Sequence, residues 1–253
     1  GSVNHINGLE TGVVVNGIIA MGYTGQFAAN DVPLLEGENT ITVVATDANG
    51  EKLQQTFTVT VQPEPEHVQL FTTHESALVP MDNSIRIDSN FIVSGPTNLS
   101  YSGPGIVEYL STMDGIYSVK ITTPGLYIFT GSANNESGDN YADSVAILAL
   151  DKTILDTFLQ EKWNGMKTAL TAQDVNTAIS YFDPLTRERY TAIYNSILDK
   201  LPQVAADMQD IQMITAEYNY AKYRIRRNET LSGQEYPITY YIYFNLDQDG
   251  LWR

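Results

Sequence analysis

The chain has 253 residues, 43% of them hydrophobic, with 30 acidic against 14 basic side chains and a net charge of −16. Such a balance argues against nucleic acid as a partner, because phosphate contacts need a net basic surface. The absence of cysteine excludes disulfides, thiolate nucleophiles and zinc–sulfur sites, and no apolar run is long enough to span a membrane.

The length suits two or three domains, and the charge is unevenly placed. Residues 1–62 hold six acidic and one basic side chain, residues 63–150 ten and two, and residues 151–253 fourteen and eleven. Most of the base therefore lies in the last part. The opening Gly1-Ser2 reads as an expression scar, which leaves room for a removed signal peptide or upstream domains.

Residues 3–62 read as short strands with turn punctuation. Val13–Val15 precedes a turn at Asn16-Gly17, and strands Thr40–Thr46 and Gln55–Val61 are joined by Asp47-Ala48-Asn49-Gly50 as a hairpin. The run Pro33-Leu34-Leu35-Glu36-Gly37-Glu38-Asn39-Thr40-Ile41-Thr42-Val43 resembles bacterial immunoglobulin-like modules of the glucodextranase type. The resemblance covers about Val13–Val61. Modules of that kind carry further strands in front, so it implies a truncated copy with an exposed sheet edge.

Gln62-Pro63-Glu64-Pro65-Glu66 is predicted to be a linker, stiffened by two prolines and solvated by its charges. Residues 67–150 repeat the all-β pattern. Thr123-Pro124-Gly125-Leu126-Tyr127 followed by Tyr141–Leu150 resembles the end of a polycystic kidney disease-type (PKD) domain, in a divergent form without that family's Trp-Asp-Phe-Gly-Asp-Gly-like run. Both modules end strand–polar turn–strand, which a duplicated sandwich accounts for.

From Asp151 the period changes. Leu155, Leu159, Trp163, Met166 and Leu170 recur every three or four residues, one stripe of a helix spanning Leu155 to Leu170, while Lys152, Asp156, Gln160, Lys167 and Thr171 fall off it towards water. Asp174 caps a short helix Val175–Phe182. Asp183-Pro184 opens another that runs to about Lys200, buries Tyr190, Ile193, Tyr194 and Ile197, and is stopped by Pro202. Strands Ile211–Glu217, Tyr220–Arg227 and Ile238–Phe244 follow. In the second, Ala221, Tyr223 and Ile225 alternate with Lys222, Arg224 and Arg226, giving an apolar and a basic face. Asp247-Gln248-Asp249-Gly250 turns the chain towards a last strand beginning Leu251-Trp252. This order resembles the nuclear transport factor two-like, or SnoaL-like, cone fold over roughly Asp151–Arg253.

Candidate sites are few. Of His5, His67 and His74, none lies in the last domain, which removes the commonest general base, and all three read as surface loop residues. SnoaL-like cyclases use Asp/His pairs, and here the His is missing. Asp247-Gln248-Asp249-Gly250 begins like a calcium loop without its twelfth-position Glu, and the oxygen-rich Asp47, Asn49 and Asn135, Glu136, Asp139 and Asp143 read mainly as solvated turns. No Gly-x-Ser-x-Gly and no phosphate-binding glycine loop appears. Catalytic residues, metal ligands and cofactors are accordingly expected to be none. Trp163, Tyr181, Tyr223 and Tyr240 are the candidates to line a ligand pocket between helix and sheet, with core packing as the plainer account. Lys222, Arg224 and Arg226 beside Tyr241 and Tyr243 form a basic-aromatic strip suited to an acidic partner, the chain's own second module included.

The expected architecture is multidomain: an immunoglobulin-like β module (1–62), a PKD-like sandwich (63–150) and an α+β cone, cystatin-like or SnoaL-like (151–253). The expected role is a non-enzymatic exported or cell-surface bacterial protein, extracellular or periplasmic, whose β spacers present a domain that binds a protein or carbohydrate at the cell surface. The alternative is an enzyme with Tyr/carboxylate acid–base chemistry in a cone pocket.

Overall fold

Alternating residues bounded by turns make the N-terminal part a set of short strands. The computed structural model describes every residue except Ile6, Glu64 and Tyr218. Its first strands are β1 (Thr11–Val15), β2 (Ile18–Ile19), β3 (Met21–Tyr23), β4 (Gln26–Ala28), β5 (Gly37–Asp47) and β6 (Lys52–Val61). One antiparallel sheet has the order β2-β1-β5-β6, and β3–β4 is a separate hairpin. Asn16 and Gly17 both have positive φ, 47° and 86°, as the tight β1–β2 turn requires. Asn16 also accepts from the Thr42 amide at 2.7 Å, buttoning that turn to β5. Val13, Val15, Ala20 and Ile41 form a small core under this sheet.

Eight strands follow: β7 (Val68–Thr72), β8 (Ser76–Leu78), β9 (Met81–Ser89), β10 (Asn98–Ser102), β11 (Val107–Met113), β12 (Ile116–Ile121), β13 (Gly125–Asn134) and β14 (Asn140–Leu150). They make two layers, β11-β12-β9-β7 and β10-β13-β14-β8, with β8 parallel to β14. Burial alternates strictly along β13, and its inward residues Tyr127 and Phe129 are fully buried against Ile85, Val119, Ile121 and Ile147. Each such side chain contributes about 1.5–3 kcal/mol relative to exposure. This is a two-sheet β-sandwich.

The last residues of the predicted linker are anchored rather than loose. Asn90 donates to the Pro65 carbonyl at 2.7 Å and accepts from the His67 amide at 2.8 Å. Glu66 accepts from Asn135 at 2.7 Å and from the Tyr141 hydroxyl at 3.1 Å. Glu64 of that linker lies outside the described residues. A further tie comes from Asn30, whose side-chain amide donates to the Ala146 carbonyl (2.9 Å) and accepts from the Ala146 amide (2.8 Å). Residues Gly1–Asp151, with Gln248–Leu251, accordingly form one compact unit.

The second unit comprises Lys152–Asp247 and Trp252–Arg253. It contains α1 (Lys152–Thr171), α2 (Val175–Ser180), α3 (Arg187–Ser196), a 3-10 turn at Leu198–Lys200, α4 (Leu201–Asp207), β15 (Gln212–Glu217), β16 (Tyr220–Leu231) and β17 (Gln234–Asn245). All five residues of the α1 stripe are buried, and Ala169 joins them. Asp174 caps α2 by accepting from the amide and hydroxyl of Thr177 at 3.0 and 2.6 Å. The next stretch departs from the expected single helix. Asp183 holds a turn by accepting from Leu185 N at 2.8 Å, α3 starts only at Arg187, and Tyr194 is its one buried residue. Pro202 begins α4 instead of stopping a helix, because its missing N–H falls in the first turn, where no partner is needed. β15, β16 and β17 form an antiparallel sheet, with β16 and β17 in unbroken register from Tyr220↔Asn245 to Leu231↔Gln234. The chain end returns beside β17 through a Leu246↔Trp252 bridge and two 2.8 Å bonds between Asn245 and Arg253.

Candidate functional site

Period-two alternation decides what β16 and β17 show to solvent. On one face the register sets Lys222 opposite Tyr243, Arg224 opposite Tyr241 and Arg226 opposite Thr239. The Lys222 ammonium stands 4.2 Å above the Tyr241 ring and 5.6 Å from that of Tyr243, within the range of cation–π attraction. Arg224 donates through Nε to Gln212 Oε1 of β15 at 3.2 Å. Tyr241 and Tyr243 are 54% and 50% exposed. The strip that the sequence singles out is thus brought together on one face.

Several cations of the chain have a carboxylate partner, while others, such as Lys167 and Arg187, donate to backbone carbonyls. Lys52 pairs with Asp249, Arg86 with Asp88, Lys120 with Asp82, Arg227 with Glu229 and Arg253 with Asp247. Among the described residues, none of Lys222, Arg224 and Arg226 has a carboxylate within ion-pair distance. An unneutralised cationic row on a protein of net charge −16 is a local potential opposite in sign to its surroundings.

The four aromatic pocket candidates separate. Trp163 and Tyr240 line a cavity of about 390 Å³ together with Val204, Met208, Ile225 and Arg227. The Trp163 indole donates to the Gln209 carbonyl at 3.2 Å, and the Arg227 guanidinium lies 5.1 Å from the Tyr240 ring centre. Tyr181 lies elsewhere, its hydroxyl packed so closely on α1 that a side chain at Gly165 would overlap it. Tyr223 is fully buried and donates to Asp156 Oδ1 at 3.0 Å. Burial first, then that bond and the neighbouring charge, raise its pKa. This buried phenol, bonded to Asp156, ties the sheet to α1. Periodicity alone sends Asp156 to water; no sequence signal places Tyr223 across from it.

The remaining polar candidates have local partners. His5 lies 3.1 Å from Asp47 Oδ2, and the Asp47 Oδ1 accepts from the amides of Asn49 and Glu51 at 2.8 and 2.9 Å. Burial opposes its charge, but the Glu51 and Asn49 amides and the His5 ring hold its pKa below the usual value. His67 and His74 are exposed in loops. Asn135 is occupied by Glu66 and by the Asp139 amide. Among the described residues no three His, Asp or Glu side chains are arranged to hold a metal ion, and no helix is long and apolar enough to cross a membrane.

No protein-family model matches the chain, and no curated protein matches it either. Solved structures with some likeness include protocadherin gamma B7 extracellular cadherin domains 1–4, at 15% identity and a TM-score of 0.23, covering 58% of this chain and 42% of that one. Murine CEACAM1b is 13% identical with a TM-score of 0.25, covering 55% of this chain and 85% of that one. The fibronectin(III)-like modules of Clostridium thermocellum CbhA are 13% identical with a TM-score of 0.23, covering 56% and 77%. The chain spans about two fifths of the protocadherin structure. At such scores these likenesses assign neither family nor activity.

Proposed function

We propose that the chain is a non-enzymatic, exported or cell-surface binding protein. Two immunoglobulin-like β modules, 1–62 and 63–150, act as spacers, and the α+β part, 151–253, read as a compact cone-like domain, binds an acidic protein or glycan. The observation that carries this reading is the row Lys222, Arg224 and Arg226, without carboxylate partners among the described residues and interleaved with exposed Tyr241 and Tyr243. Cations left without internal carboxylate partners gain most from an external anion, and exposed aromatics offer flat contact area at low entropic cost. The Trp163–Tyr240 cavity is the second place where a small apolar group of such a ligand fits.

A protein of net charge −16 should be repelled by a polyanionic resin. Retention of the full chain on such a resin at low salt, release by salt, and flow-through of the Arg224→Glu/Arg226→Glu double variant are the expected results. Flow-through of the unmodified chain at low salt would remove the basis for an anionic partner.

A further inference from the structure

Strands at a sheet edge present unpaired N–H and C=O groups, and proteins blunt them with short length, charge, proline or bulges. Among the described residues, several outermost strands are blunted in one of these ways. β2, β7 and β10 have two, five and five residues. β11 carries Glu108 and a bulge between Tyr109 and Ser111. β17 carries Glu235 and Pro237.

The outermost strand β6 is not blunted. It has ten residues, pairs with β5 in unbroken register, and after Lys52 contains no charge, proline or glycine. Lys52 to Thr58 are all exposed. On the side that bears the module's core, Leu53 and Phe57 are 65% and 53% exposed. Phe57 also borders an apolar cleft of about 810 Å³, with Val43, Phe27, Val32 and Pro104 on its walls. An open hydrogen-bonding edge therefore runs beside apolar space.

We propose that β6 pairs with β6 of a second copy of this chain, antiparallel and about a two-fold axis at Phe57. The occupant follows from charge and pattern. Copies that each carry −16 repel where carboxylates meet, and Lys52–Val61 is a ten-residue exposed edge without one. With Phe57 on the axis, Leu53 faces Val61 of the partner, Gln55 faces Val59, and the Phe57 rings meet. On the other face Lys52 meets Gln62, Gln54 meets Thr60, and Thr56 meets Thr58, so no like charges oppose. Shifting the axis to Thr56 or Gln55 loses the Phe57 ring pair. Isologous pairing also closes on itself, so the assembly stops at a dimer.

The test is sedimentation of the full chain over a concentration series, with single-cysteine cross-linking. The chain has no cysteine, so Phe57→Cys should form a disulfide dimer under mild oxidation. Leu185→Cys, at a 93% exposed position, should not. Thr56→Glu and Phe57→Glu, at exposed sites, should weaken dimerisation about tenfold or more with unchanged far-UV circular dichroism. A monomer at every concentration, a dimer untouched by both glutamates, or open-ended growth would each overturn the proposal.

Discussion

The side chain of Asn30 pairs with the backbone of Ala146 as a strand residue would, donating to its carbonyl at 2.9 Å and accepting from its amide at 2.8 Å. It also donates to Glu75 Oε1 at 3.1 Å. A residue outside any strand thus supplies a rung of sheet to β14.

Asn30→Ala removes that rung and leaves the polar groups of buried Ala146 without it. The expected loss is about 1–3 kcal/mol, read as a lowered thermal midpoint of the full chain. An unchanged midpoint would mean that water replaces the amide at no cost.

Trp163→Ala deletes a side chain that is 9% exposed, together with its bond to Gln209. The expected destabilisation is about 3–5 kcal/mol, the usual range for a buried large aromatic. Trp163→Phe should recover much of it. Denaturant unfolding followed by circular dichroism measures both, and equal stability of all three proteins would exclude Trp163 from the core.

Alkaline pH should unfold the chain in a defined window. Burial pushes the Tyr194 phenol up to about 12, and Tyr223 is raised as well. Both favour the neutral form in the folded state, so their contribution is complete below the unfolded phenol value of about 10. It is lost as pH climbs from there through the folded value, because only the unfolded chain ionises. Denaturant midpoints at pH 8 to 12 should fall mainly in the upper half, and less steeply in Tyr194→Phe. A flat profile in the unmodified chain would contradict this.

Calcium should leave the melting temperature unchanged. The oxygen-rich turn at Asn135 already satisfies its side chain with Glu66 and Asp139, and a ligand stabilises only a native state that binds it. A rise of several degrees in millimolar calcium, reversed by a chelator, would show that those bonds give way to a cation.

The sequence discloses those features that repeat with a fixed period. Leu155, Leu159, Trp163, Met166 and Leu170 announce α1, and the alternation from Ala221 to Arg226 announces both faces of β16, because a helix turn and a strand pleat impose their spacing on burial. Features that depend on a distant partner are silent. Asp156 reads as solvent-facing until Tyr223 is placed opposite it, and Asn30 gives no sign of Ala146, 116 positions away. Pro202 is ambiguous for a local reason: proline ends one helix and begins another with the same missing donor. Of the pocket candidates, Trp163 and Tyr240 meet around one cavity while Tyr181 and Tyr223 do not, since apolar spacing marks which residues face inward but not which leave space between them.

The register of β15 against β16 reaches no further than Gln212↔Arg224, whereas β16 and β17 continue to Leu231↔Gln234. From Ile225 outward the backbone pairing of the hairpin is between its own two strands. Two residues added to each strand would move the tip outward by ~7 Å and add a rung to each face. The spacing between neighbouring cations is set by the pleat and does not change. Reach is therefore an adjustable dimension of this hairpin, and insertions or deletions in matched pairs would lengthen or shorten it without reworking the helices.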